Sequence, residues 1–189
     1  MDTIELLHTR RSVKAMDLVE PGPSDAQLDA ILRAATRVPD HGKLAPWRIQ
    51  VLRKEGQTAL GEVLAALFRK EIPEANDKQV EFERQRPQRA PLLLVVTHTP
   101  VTPHKIPEFE QLMSGGAVCA HLLLATHAQG LAGQWLTEWP AYRPEVVAAL
   151  GHDPEKDRIL GFFYLGTPRE KPEERPRPAL DEVVSEWRG

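Results

Sequence analysis

Cysteine is almost missing from this sequence: the 189 residues contain one, Cys119. That excludes a disulfide framework and any thiolate-only metal site within one chain. No apolar run reaches the ~18 residues that a membrane-spanning helix needs. Neither sign of charge dominates, since 24 Lys and Arg face 27 Asp and Glu. The basic footprint of a dedicated nucleic-acid binder is therefore missing. So are the glycine-rich phosphate loops, because neither G-x-G-x-x-G nor G-x-x-x-x-G-K-[ST] occurs. None of the 7 histidines forms an H-E-x-x-H pair. His98 with His104, and His121 with His127, stand six apart, a spacing without ligand logic on a helix, and no metal is expected. Ser114 lies between Met113 and Gly115, not in a nucleophile elbow. Cys119 sits among small apolar residues and reads as an inert thiol. The opening Met1-Asp2-Thr3-Ile4-Glu5 lacks the basic and apolar regions of a secretory signal. A soluble, cytoplasmic protein with no nucleic-acid or membrane partner is expected.

Strand and helix signals interleave without repeats or an internal linker, predicting one mixed α and β domain over 1–189. Asp2 with Glu5 opens a short helix that runs into Arg10-Arg11-Ser12-Val13-Lys14. Ser24 with Gln27 forms a capping box, and Leu28, Ile31, Leu32 and Ala35 follow at helical spacing. Residues 47–52 alternate as a half-buried strand does, and 58–68 read as a helix with Leu60, Val63, Leu64 and Leu67 inward. The charged stretch 69–89 reads as a solvated helix or loop. Residues 91–96 form a continuous apolar run, as expected of a strand covered on both faces. The helix over 108–129 has Gly115 and Gly116 at its centre, each costing roughly 1 kcal/mol relative to alanine. A close approach by another backbone, helix or flat ligand would compensate. Residues 134–137 read as extended, 144–150 as a short helix and 159–165 as a buried strand. From 168 to 178 the chain is mostly proline or charged, yet Leu180, Val183, Val184 and Trp187 follow. This pattern reads as an arm that docks at a distance, on a second subunit among other surfaces.

Three segments carry possible chemistry. Arg10, Arg11, Ser12 and Lys14 offer two guanidinium forks, a hydroxyl and an ammonium within five residues. Such a set suits a phosphate monoester; on composition alone it reads first as a solvated basic patch. Arg37, with Pro39-Asp40-His41 and Pro46-Trp47, ends the best helix on a stiffened loop. It either reaches a ligand or only meets the helix dipole. Gly130-Leu131-Ala132-Gly133-Gln134-Trp135-Leu136-Thr137 delivers an aromatic ring and a hydroxyl where a flat heteroaromatic could lie; the alternative is Trp135 as core filler.

Taken together these segments resemble the nitroreductase family of FMN-dependent oxidoreductases, especially its short, minimal branch. The resemblance runs through Arg10-Arg11-Ser12, Arg37 to His41, Ala45-Pro46-Trp47, Arg89-Ala90-Pro91 and Met113 to Gly116. It continues through Ala128 to Trp135 and Gly161 to Pro168. It implies an α+β fold with a mixed β-sheet flanked by helices. It further implies a homodimer with FMN at the interface and an exchanged C-terminal arm over about 168–189. By this resemblance Arg10, Arg11 and Ser12 hold the FMN phosphate and ribityl end. Arg37 and His41 reach the flavin from the other subunit, and Trp135, Leu136 and Thr137 line the isoalloxazine ring. Ala125, Thr126, His127, Ala128, Gln129 and Gly130 meet NADH or NADPH. One departure stands out. Most of the family carries Pro-Ser-x-x-Asn-x-Gln-Pro-Trp, where this chain has Pro39-Asp40-His41-Gly42-Lys43-Leu44-Ala45-Pro46-Trp47. The Asn and Gln amides are missing.

The implied activity is NAD(P)H oxidation of the nitroreductase type. A hydride passes from nicotinamide to flavin N5, then to a nitro compound, quinone or related small acceptor, by a ping-pong mechanism. The flavin carries the chemistry, so no catalytic side chain is required. Two alternatives remain at this level: a flavin carrier that does not turn over, and a colourless scaffold recruiting partners through 69–89.

Overall fold

The computed structural model describes residues 2–189. Helix α1 (Thr3–Thr9) is capped by the Asp2 carboxylate, which accepts from Ile4 N–H at 2.9 Å. The short strand β1 (Leu18–Val19) precedes α2 (Asp25–Ala35), whose Ser24–Gln27 box is present in both directions. Strand β2 (Trp47–Leu52) leads to α3 (Lys54–Glu71), longer than the apolar spacing indicates. Then come α4 (Asp77–Gln85), β3 (Leu92–His98), α5 (Glu108–Ala128) and β4 (Ala132–Leu136). Helix α6 (Pro144–Ala149), β5 (Arg158–Pro168) and a single turn, α7 (Leu180–Val183), complete the chain.

Strand β5 is the organising element. It pairs with β3 along one edge and β4 along the other, β2 lies outside β3, and β1 meets the C-terminal end of β5. In the expected mixed sheet, every pairing among the described residues is antiparallel; a parallel member would have to come from outside this chain. Two apolar layers cover the sheet. Leu93, Val95, Phe162 and Tyr164 face Leu60, Leu64, Val146 and Val147 of α3 and α6. Leu92, Leu94, Val96, Phe163 and Leu165 face α2 and α5. That double covering explains why β3 reads as an unbroken apolar run.

One expectation changes. Residues 69–89 are not merely solvated: Val80 of α4 packs on Ala65 and Ala75, while Glu83 and Arg86 are buried and paired with each other. The charges turn inward because they neutralise one another. A Cβ on Gly115 would come within 2.6 Å of Leu160, so that glycine does permit a close approach. A Cβ on Gly116 would meet nothing within 4 Å outside its own helix. The arm beyond β5 extends over the surface, with Leu180, Val183, Val184 and Trp187 exposed, Trp187 by 90%. No helix among the described residues is long and apolar enough to cross a membrane.

His98 titrates against the fold. Burial pushes its imidazole below the ordinary value, with the Pro46 carbonyl opposing, and its Nε2 has no hydrogen-bond partner. As pH falls through the ordinary histidine range, around 6.5, the unfolded chain takes up a proton that the folded one refuses. Stability is therefore lost towards acid. Melting temperatures between pH 7.5 and 5.5 should fall more steeply in the wild type than in H98Q; equal slopes would refute this assignment.

Candidate functional site

The segment after α1 crosses the outer edge of β4. Val13 N–H donates to the Gly133 carbonyl at 3.2 Å, and Ala15 N–H donates to the Gln134 side chain at 2.6 Å. This lays Arg10, Arg11 and Ser12 beside the start of the Gln134–Thr137 stretch, so two of the three candidate segments meet. A cleft of about 660 Å³ opens there, bordered by Arg10, Arg11, His127, Leu131, Lys171 and Glu174. Its size is ordinary for a small-molecule site.

The cleft is cationic. Burial lowers the Arg10 guanidinium from its ordinary value. The nearby guanidiniums of Arg177, Arg11 and Arg175 lower it further, and only Glu174 opposes them. Arg11 donates to the Glu173 carbonyl at 2.6 Å and to the Glu174 carboxylate at 3.2 Å. Arg11 and Arg177 share the Glu174 carboxylate, and the guanidiniums near Arg10 repel one another unless a further anion joins them. A phosphate monoester, with nearly two charges and three acceptor oxygens, fits that arrangement. Ser12 is exposed beside it. Arg175 and Arg177 were not singled out in the sequence, because the arm's composition says nothing of where it lies.

Trp135 is half-exposed and fixed. Its Nε1–H donates to the Leu160 carbonyl at 2.8 Å, and its ring stacks on Phe163 with centroids 5.4 Å apart. Gly161 leaves the space that the indole occupies. Leu136 is partly buried, and the Thr137 hydroxyl lies 3.2 Å from the Tyr142 hydroxyl. Next comes Glu138 at φ 51°, ψ −177°, a conformation that belongs almost solely to glycine. Its carboxylate is gripped by Arg86 and Arg89, each at 2.7 Å. This clamp was invisible in the sequence, since its arginines lie within the stretch that reads as solvated.

Arg37 and His41 lie elsewhere. His41 Nδ1 sits 2.6 Å from a Glu110 carboxylate oxygen, at the N-terminal end of α5. Arg37 is exposed. The Arg10–Ser12 loop instead touches the opposite end of α5 at His127. Seventeen residues at 1.5 Å rise separate those ends by roughly 25 Å, so one chain does not bring the two sets together. The loop around His41 is strained, with Gly42, Lys43 and Ala45 all at positive φ. It is held by Asp40, which accepts from Ala45 N–H at 2.8 Å, and by Ser114, which donates to the Pro39 carbonyl at 2.9 Å.

Within 125–130, Thr126 is buried and its hydroxyl donates to the Leu122 carbonyl, while Ala125 and His127 are partly covered. Ala128, Gln129 and Gly130 are exposed; Gly130, at φ 77°, ends the helix in the left-handed conformation that glycine favours. Burial lifts the Cys119 thiol to about 12, consistent with an inert side chain. The described residues contain no cluster of His, Cys, Asp or Glu able to hold a metal.

Comparison with known proteins adds lineage to this geometry. The model of the nitroreductase family matches residues 7–167. The Escherichia coli K12 protein named "Putative NAD(P)H nitroreductase YdjA" is 40% identical over 173 residues, 90% of this chain and 91% of that protein. A Haemophilus influenzae protein named "Putative NAD(P)H nitroreductase" is 35% identical over 178 residues, 94% of each. Among solved structures, a nitroreductase-like family protein from Bacillus cereus superposes with a TM-score of 0.86 at 22% identity, covering 100% of this chain and 97% of that one. The FMN and NADPH-dependent nitroreductase NfnB of Sphigopyxis sp. superposes at 0.73, also at 22% identity, with both chains covered fully.

Proposed function

The chain belongs to the nitroreductase family, and from that premise we propose that it is an FMN-dependent NAD(P)H oxidoreductase acting as a homodimer. One domain spans 1–189, with 168–189 as an arm exchanged between copies. The observation that carries this reading is that the bonds from Val13 to Gly133 and from Ala15 to Gln134 set the Arg10–Arg11–Ser12 cluster beside the 135–137 stretch. The chemistry that FMN supplies when bound is two-electron transfer, taking a hydride from NADH or NADPH and giving it to a nitro, quinone or related small acceptor in a second half-reaction.

The chain's own residues bind and orient. Arg10 and Arg11 neutralise the phosphate with charge-assisted hydrogen bonds, and Ser12 adds a hydroxyl. The 135–137 stretch, stiffened by the Trp135–Leu160 bond and the Glu138 clamp, offers a flat wall for the ring. Arg37 of a second copy supplies positive charge at the ring's pyrimidine edge, where negative charge collects, with His41 beside it. The 25 Å between the two sets favours this division. A two-fold pairing of α5 about its middle sets one helix's start against the other's end. The middle of α5 is where a Cβ on Gly116 would find open space, with Met113 and Ala120 exposed nearby. The exposed end of 125–130 flanks the cleft and is the proposed meeting place of the nicotinamide cofactor.

Arg10→Ala is expected to weaken FMN binding tenfold or more, from the ~1.5–3 kcal/mol of a hydrogen bond to a charged group. Flavin absorbance retained after dialysis measures it, and unchanged occupancy refutes the phosphate assignment. Anaerobic addition of NADH, then NADPH, should bleach the wild-type flavin; binding without bleaching would leave only a carrier.

A further inference from the structure

We infer that His127 is a positioning residue for the phosphate-binding loop, holding the Arg10–Arg11–Ser12 backbone in place from the end of α5. Its Nε2 lies 2.7 Å from the Arg11 carbonyl oxygen, and its Nδ1 lies 2.7 Å from the Leu123 carbonyl oxygen. Both carbonyls only accept and a neutral imidazole has one N–H; the proposed tether is the tautomer with hydrogen on Nε2, which donates to Arg11 across 116 residues of sequence. This inference rests on the reading of Arg10 and Arg11 as the phosphate site. It gives His127 a task different from the nicotinamide contact that the family resemblance implies.

The need for such a tether follows from how little else holds the loop. Helix α1 contains no buried residue, so side-chain packing within this chain holds it only weakly. Upstream, Arg10 N–H donates to the Leu6 carbonyl, a bond within the α1 end itself. Downstream, the first tie to the sheet is Val13 N–H on the Gly133 carbonyl. The Arg11 side chain is tied only to the arm, through the Glu173 carbonyl and the Glu174 carboxylate. Between the end of α1 and Val13, the His127 bond is therefore the backbone's link to the body of the protein. His127 stands on a firm base, because Leu122 and Leu123 before it are buried in the α5 face of the core. An anion site gains affinity when its donors are already in place, since ordering the loop then costs nothing at binding.

The test is a titration of the full-length protein, stripped of flavin, with FMN and separately with riboflavin, which lacks the phosphate. Wild type, H127A, H127Q and R10A are compared by quenching of flavin fluorescence. The expected result is a loss of about tenfold for FMN in H127A, with riboflavin affinity and melting temperature little changed. H127Q, whose amide can donate to the Arg11 carbonyl, should recover most of the loss. An equal loss for both flavins, or full FMN affinity in H127A while R10A is weakened, overturns the positioning role. Full FMN affinity in R10A overturns the phosphate reading itself, and this inference with it.

Discussion

Glu138→Ala is expected to destabilise the protein by about 2–4 kcal/mol, a figure set just under the cost of breaking a buried ion pair because the carboxylate keeps some exposure. Burial alone would push the Glu138 carboxyl up, yet hydrogen bonds from Arg89 and Arg86 hold it below the ordinary carboxylate range. Alanine would leave the Arg86 guanidinium, which is 9% exposed, sharing Glu83 alone, and Arg89 without a carboxylate. The new side chain would also inherit φ 51° and ψ −177°, so the backbone strain of roughly 1–3 kcal/mol remains while the interaction offsetting it is gone. Glu138→Gly separates the two contributions. Glycine accepts that conformation without strain, so it should be less destabilised than alanine although both lose the carboxylate. Urea denaturation of the three proteins at neutral pH measures this, and an alanine variant as stable as the wild type would dismiss the clamp. The folded carboxyl titrates below the unfolded one, so its contribution is full at neutral pH. It disappears as pH falls through the folded value, and the variants should converge with the wild type in acid.

Legibility differed between the two halves of the problem for a physical reason. Where a signal is local, the sequence carried it: the Ser24–Gln27 box, the bounds of 47–52, and the glycines that end α5 and α6 at 130 and 151 all appear in the structure. The apolar run at 91–96 told of cover on both faces, because a strand apolar at every position is expected to be covered twice. Non-local partners were silent. Nothing near Arg86 or Arg89 announces a carboxylate some fifty residues on, and nothing in the proline-rich arm announces that Arg175 and Arg177 return to Arg10. His127 read as part of a cofactor stretch, because a histidine's partner cannot be known from its neighbours alone. The resemblance gives Arg37 and His41 to the other subunit's flavin, and within one chain helix length sets Glu110, which His41 contacts, roughly 25 Å from His127, which the Arg11 loop contacts.

Gly161→Ala carries the other large expected effect, and it acts on the wall of the site. A Cβ at this position would overlap Nε1 and Cδ1 of Trp135, so the indole cannot stay where it is. Moving it breaks the hydrogen bond to the Leu160 carbonyl and opens the stack on Phe163, a ring with no solvent exposure. Overpacking of this kind costs about 1–3 kcal/mol, and a lost hydrogen bond adds about one more, giving roughly 2–4 kcal/mol in all. Trp135 and Phe163 are themselves a paired register position of β4 and β5, so relieving the overlap by moving a strand would disturb that pairing as well. The side chain must swing outward, into the space that the proposed ring would occupy. Flavin affinity should therefore fall together with stability, for riboflavin as much as for FMN, since the wall rather than the phosphate pole is disturbed. The double variant Gly161→Ala/Trp135→Ala removes the overlapping atoms and should recover part of the stability without restoring the wall. A single Gly161→Ala protein that melts with the wild type and keeps its tryptophan fluorescence unshifted would mean that Trp135 is not held as the geometry indicates.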